Sequence, residues 1–161
     1  MRKKLCLILV AVWGMALLAG CSGKAQNAAP SSPQAEAIHE TDKKEQATMK
    51  MNVQIGDQIF TATLADTKAA QDFAQMLPMT ITLNDYSGFE KVGSLGRSLT
   101  TSNSQITTVA GDIVLYNSSN IVMFYGSNSW SYTRLGKIDD LTGWADALGH
   151  GSVTAIFTLV N

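Results

Sequence analysis

From residue 48 onward, apolar side chains recur mostly at every second position, the period of a strand with one buried face. Met49, Met51, Val53 and Ile55 share a face, Gly56-Asp57 signals a turn, and Ile59, Phe60, Ala62 and Leu64 follow. This predicts an antiparallel hairpin. The period then changes. Asp66 or Thr67 stands as a helix N-cap, Ala69, Ala70, Phe73, Ala74, Met76 and Leu77 keep helical spacing, and Pro78 is a stop. The Phe73/Leu77 face of this helix is expected to plug one end of the sheet. Alternation returns with Met79, Ile81 and Leu83, whereas 87–110 is polar, rich in Gly and Ser, and reads as long loops around short strands.

The stretch GDIVLYNSSNIVMFYG, residues 111–126, predicts two strands joined by a turn at Asn117-Ser118-Ser119-Asn120. Its apolar runs are nearly continuous, so both faces are buried or one lines a pocket. YTRLGKI predicts a further strand. A short second helix follows, with Asp139 or Asp140 as its cap, Leu141, Trp144, Ala145 and Leu148 inward, and Gly149 as its end. SVTAIFTLV closes the sheet. Seven or eight strands with two short helices predict a mainly β fold, a closed or nearly closed barrel capped by the helices.

The N-terminus follows another pattern. Arg2, Lys3 and Lys4 precede an apolar run from Leu5 to Leu18 that ends in Leu18-Ala19-Gly20-Cys21. The run has the length of a signal-peptide core and falls short of the roughly 20 residues of a comfortable membrane span. Small residues before a cysteine resemble the bacterial lipobox, so Cys21 is the expected lipidation site; the alternative is an ordinary secretory signal with an incidental cysteine. On the lipobox reading the mature chain has no free thiol, since Cys6 leaves with the signal and Cys21 carries lipid. Its partner is the membrane, either the outer face of the plasma membrane or, in a two-membrane cell, the outer membrane. Residues 22–47 are rich in Ala, Ser, Gln, Pro and charge, with Ile38 as the one large aliphatic, and read as a tether with a reach of roughly 30 Å. His39 falls within it as a solvated residue. Removing the signal leaves nine basic against thirteen acidic residues, a net charge near −4. That balance offers no basic stripe for a nucleic-acid partner. One monomeric domain, 48–161, is expected beyond the tether.

Three segments, NDYSGFEKVGSL, GDIVLYNSSNIVMFYG and LGKIDDLTGWADAL, together and in this order resemble the bacterial cyclophilin-like domains. The resemblance spans most of 48–161 and implies a cyclophilin-like barrel. It does not carry the prolyl isomerase activity of true cyclophilins with it. Phe89-Glu90-Lys91 stands where those enzymes have Phe-His-Arg, their Gln-Gly-Gly-Asp-Phe run is absent, and their Asn-Gly-Ser-Gln run is reduced to Asn117-Ser118-Ser119-Asn120. The aromatic pair Phe124-Tyr125 is kept in kind. A lysine cannot supply the fixed two-donor fork of an arginine. Arg97, six residues further on, is a second candidate donor.

Other chemistry is sparse. No His, Cys, Asp and Glu cluster has metal-ligand spacing, so neither metal nor cofactor is expected. His150 lies between two glycines, as a solvated turn residue or a base. Asp139-Asp140 could hold calcium but more simply caps a helix. GSLGRS lacks the strand and helix that frame a phosphate loop. Asn117-Ser118-Ser119 matches a glycosylation sequon. The aromatic residues carry more. Trp130, in the polar run GSNSWS, is either a ligand contact or a plug over the barrel mouth. The expected site is a cleft edged by Tyr86, Phe89, Lys91, Arg97, Phe124, Tyr125 and Trp130. It binds a peptide or small-molecule ligand without catalysis or, alternatively, supports weak prolyl isomerisation with Lys91 or Arg97 as the donor.

Overall fold

The computed structural model describes residues 48–160. The expected signal segment, Cys21, the tether and His39 lie outside the described residues.

The chain folds in the order β1 (Lys50–Ile55), β2 (Gln58–Leu64), α1 (Lys68–Ala74), β3 (Met79–Tyr86), β4 (Glu90–Ser94), β5 (Ser104–Thr107), β6 (Asp112–Tyr116), β7 (Asn120–Phe124), β8 (Ser129–Ile138), α2 (Trp144–Leu148) and β9 (Val153–Leu159). Eight strands follow one another as β2-β1-β9-β3-β4-β7-β6-β8, and β2 pairs with β8 to close the ring. All pairings are antiparallel. Closure leaves no barrel strand with a free edge. The ninth strand, β5, pairs with the first half of β8, Ser129–Tyr132, whose second half belongs to the ring.

The period-two pattern sorts side chains between the inside and outside of the wall. Met51, Val53 and Ile55 of β1, Ile81 and Leu83 of β3, Ile113 and Leu115 of β6, Ile121 and Met123 of β7, and Ala155 and Phe157 of β9 fill the interior. Met49, which parity places inward, is 41% exposed because it precedes the first strand, and Ile59 points out opposite Phe60. The Gly56-Asp57 turn is as expected, with Gly56 at φ +57°, a region that glycine enters without strain.

The helices sit at the openings. The Thr67 hydroxyl caps α1 by accepting from the Ala70 amide at 3.1 Å and itself donates to the Arg134 carbonyl at 2.9 Å. Phe73 meets Phe157 edge-on, ring centres 5.6 Å apart, so α1 does plug the barrel. The second helix departs from expectation. It is only five residues long, and its N-cap is Gly143, left-handed at φ +77°, rather than an aspartate. Asp139 instead accepts from Lys50 and Thr63, and Asp140 accepts from the amide and hydroxyl of Thr142 within the preceding turn. Leu141 and Ala145 face outward, leaving Trp144 and Leu148 as the buried pair. Trp144 lies edge-on to Phe60 at 5.0 Å and donates its Nε1–H to the Phe124 carbonyl at 2.8 Å. The indole therefore buries its bulk without stranding its one donor.

A candidate binding pocket on the outer barrel wall

On the four strands β4-β7-β6-β8 the outward face is apolar as well. Val114, Val122, Phe124 and Tyr132 form a second buried cluster, with Phe89, Val92, Ile106 and Tyr116 packed against it. The nearly continuous apolar runs of β6 and β7 thus serve both sides of the wall. The rings of Tyr116 and Phe124 stand edge-on to Tyr132 at 6.0 Å and 5.8 Å.

Over this outer cluster lies a cavity of about 380 Å³, lined by Tyr86, Glu90, Val92, Tyr116, Val122, Asn128, Trp130 and Tyr132. The register explains the set. Glu90 pairs with Tyr86 across β3 and with Phe124 across β7, while Val92 pairs with Val122. Tyr86 and Trp130, 60% and 56% exposed, stand at the mouth. Asn128 has its polar ends occupied: Nδ2 donates to the Tyr132 hydroxyl at 3.1 Å, and Oδ1 accepts from the Ser129 amide at 2.8 Å.

Glu90 is the unusual member. It is 6% exposed, and its Oε2 is the one buried side-chain oxygen or nitrogen among the described residues with no hydrogen-bond partner. Burial pushes its carboxyl up to about 7. Burial also raises the Tyr132 hydroxyl, with the neighbouring Glu90 charge as a further cause. Among the described residues, no lysine, arginine or histidine lines the cavity.

Lys91 faces the other way, because successive strand residues point to opposite sides of the wall. Its side chain is fully buried, and its three protons are spent on Asp85 Oδ1 at 2.7 Å, the Gly149 carbonyl at 2.9 Å and the Gly151 carbonyl at 2.7 Å. The Tyr125 hydroxyl donates to the same Asp85 oxygen. Lys91 and then Tyr125 hold the Asp85 carboxyl below its ordinary range, while burial and the Asp85 bond push the Tyr125 hydroxyl up to about 12. This group ties β3 and β4 to the loop around His150, which is exposed.

The residues expected to edge one cleft therefore separate. Tyr86 and Trp130 line the cavity, Phe124 and Phe89 pack in the cluster beneath it, and Lys91 and Tyr125 belong to the clamp on the inner side. Arg97 is exposed in the loop after β4 and outside the lining. The lining also contains six residues outside the expected cleft: Glu90, Val92, Tyr116, Val122, Asn128 and Tyr132. Alternation in β6 and β7 carries a signal for Tyr116 and Val122, but Glu90 gives none until β4 has a register.

A wider hollow, about 440 Å³, runs along the β2–β8 seam between Thr63 and Lys137. Its charged side chains, Arg134, Lys137 and Asp139, are exposed, and no unpartnered buried polar atom faces it. Among the described residues, no three His, Cys, Asp or Glu side chains converge on a point that could hold a metal ion.

No curated protein matches the chain. The solution structure of the hypothetical protein AF2241 from Archaeoglobus fulgidus superposes with a TM-score of 0.56 at 12% identity, covering 73% of this chain and 99% of its own. At that identity the likeness is one of fold. The model of the cyclophilin-like family matches residues 53–158, about two thirds of the sequence and nearly the whole barrel. The chain belongs to the cyclophilin-like family.

Proposed function

We propose that this barrel is a binding module, and that its site is the outer-wall pocket over Glu90. The observation that carries the reading is a buried carboxyl without a protein partner at the base of a 380 Å³ cavity whose mouth has two exposed aromatic side chains. An unpaired buried polar group costs about 1–3 kcal/mol or more, which a ligand able to pair with it would relieve. Exposed Tyr and Trp beside such a cavity supply contact area at little entropic cost. The occupant is a small organic molecule or a peptide side chain, in keeping with the cavity's size.

Binding is favoured over prolyl isomerisation because the lysine that would serve as donor is committed to Asp85 and two carbonyls. The N-terminal pattern supports display of the module from a lipidated Cys21 on the cell envelope. A thermal-shift screen of small molecules and short peptides against the full chain tests the binding reading. Ligands are expected to raise Tm and to change Trp130 fluorescence, and Trp130→Leu should weaken them about tenfold. A screen without stabilising ligands, beside accelerated isomerisation of Xaa-Pro peptides that Arg97→Ala abolishes, would overturn it.

A further inference from the structure

We infer that the pocket selects ligands bearing an organic cation, a protonated amine or a guanidinium, and seats that cation on Glu90 within a surround of tyrosine and tryptophan rings. This rests on the binding reading above and specifies its ligand class.

The polar groups of the lining decide the sign. Glu90 supplies a carboxylate, an acceptor with no internal donor. Asn128, the one lining amide, spends one Nδ2 proton on the Tyr132 hydroxyl and its Oδ1 on the Ser129 amide. The remaining heteroatoms belong to the hydroxyls of Tyr86, Tyr116 and Tyr132 and the indole of Trp130. Among the described residues, no basic side chain shares the cavity to neutralise the carboxylate. Lys91 is directed to the opposite face, and Arg134 and Lys137 are drawn to Asp112 at 3.7 Å and 3.9 Å. The protein thus leaves one negative charge for the ligand to match.

The rings act in the same direction. Aromatic faces carry partial negative charge, and a cation within about 6 Å of such a face is attracted to it, more strongly as water is excluded. Tyr86 and Trp130 at the mouth and Tyr116 and Tyr132 in the wall offer four rings around one acid. An ammonium or guanidinium would form a charge-assisted hydrogen bond with the buried carboxylate, stronger than a neutral one. A metal cation fits poorly, since hard ions need several oxygen ligands and the pocket supplies one carboxylate. The titratable groups that share the pocket with Glu90 are tyrosines, Tyr86 on β3, Tyr116 on β6 and Tyr132 on β8, while Tyr125, on the inner side, feels its charge through the wall.

Three probes of nearly equal shape test the assignment on the full chain in detergent: 2-phenylethylammonium, 2-phenylethanol and phenylacetate. Calorimetric titration at pH 8 is expected to give the ammonium roughly tenfold or more the affinity of the alcohol, with phenylacetate weaker still. Glu90→Gln should erase the ammonium's advantage over the alcohol, and alcohol binding that remains measurable shows that the pocket has survived the substitution. Ammonium affinity should fall severalfold between pH 8 and pH 6 as Glu90 takes up a proton; the ammonium itself stays charged throughout. Equal or tighter binding of the alcohol or phenylacetate would overturn the cation assignment and leave the binding reading standing. No binding by any of the three would overturn both.

Discussion

Replacing Glu90 by glutamine should make the ligand-free protein more stable, by an amount that grows as pH rises from about 4.5 to about 7. The glutamate carboxyl has an ordinary value of 4.5 and is raised to about 7 by burial in the fold. In the unfolded chain it ionises near its ordinary value. Between those two values the folded state holds a proton that the unfolded state has released, so stability falls as pH rises through the window and levels off above it. A tenfold change in proton affinity corresponds to about 1.4 kcal/mol, so the full interval sets an upper bound of about 3–4 kcal/mol; water entering at the pocket mouth reduces it. Glutamine is nearly the same shape and carries no charge at any pH. The informative quantity is the difference in unfolding free energy between Glu90→Gln and the parent, measured by urea titration at half-unit steps from pH 4 to pH 8.5. Taking the difference cancels the other carboxylates, and a constant offset from the amide displaces the curve without changing its shape. The difference should be flat below about pH 4.5, climb in favour of the variant until about pH 7, and then plateau. For a domain of this size each kcal/mol amounts to roughly 4 °C in Tm, so the gain at pH 8 is within reach of thermal melts. A difference that is constant with pH, or that favours the parent as pH rises, would refute the reasoning that Glu90 is buried without compensation.

Further outcomes follow from the wall's inner side and from two glycines. Lys91→Met should cost about 3 kcal/mol at pH 7, because it strands two carbonyls and an aspartate that the fully buried ammonium satisfies; denaturation midpoints would measure this. The folded Asp85 carboxyl is held low, so its contribution is present above the ordinary carboxylate value and lost as pH falls through the lowered one. The parent should therefore lose more stability on acidification than the Lys91→Met variant. Gly93→Ala should cost about 1–3 kcal/mol, since the added methyl would lie 2.7 Å from Ile81 Cγ2 and Leu83 Cδ2 and 2.9 Å from the Thr82 carbonyl. Gly56→Ala meets nothing within 4 Å, and its smaller cost comes from the left-handed backbone alone, a contrast that paired thermal melts would display.

What can be read from the sequence depends on how much of the chain one local pattern governs. The β1–β2 and β6–β7 hairpins are legible because alternation and turn residues agree within a few positions. The start of the second helix is not, because Asp139 and Asp140 look like caps, whereas pairing of Lys50 and Thr63 with Asp139 draws the first of them onto the barrel rim. β5 is hidden inside a polar loop because its four residues are exposed or half-buried and are held by pairing with a strand more than twenty positions away. The site divides for a related reason. Tyr86 and Trp130 stand out as aromatics in polar surroundings, but Lys91 suggests itself for the cleft only because it aligns with an enzyme's arginine, and nothing local marks Glu90. Which of two adjacent charged residues faces a pocket is decided by strand register, and register is settled by partners that sequence spacing does not name.

A strand that packs on both sides is two interleaved sequences with separate duties. In β7, Ile121 and Met123 answer to the barrel interior, while Val122 and Phe124 answer to the outer wall; Leu115 and Tyr116 divide β6 in the same way. Substitutions confined to the outward positions can reshape or recharge the pocket without disturbing the packing that keeps the ring closed. The architecture therefore lets the chemistry of the outer pocket drift independently of the fold, one alternate residue at a time.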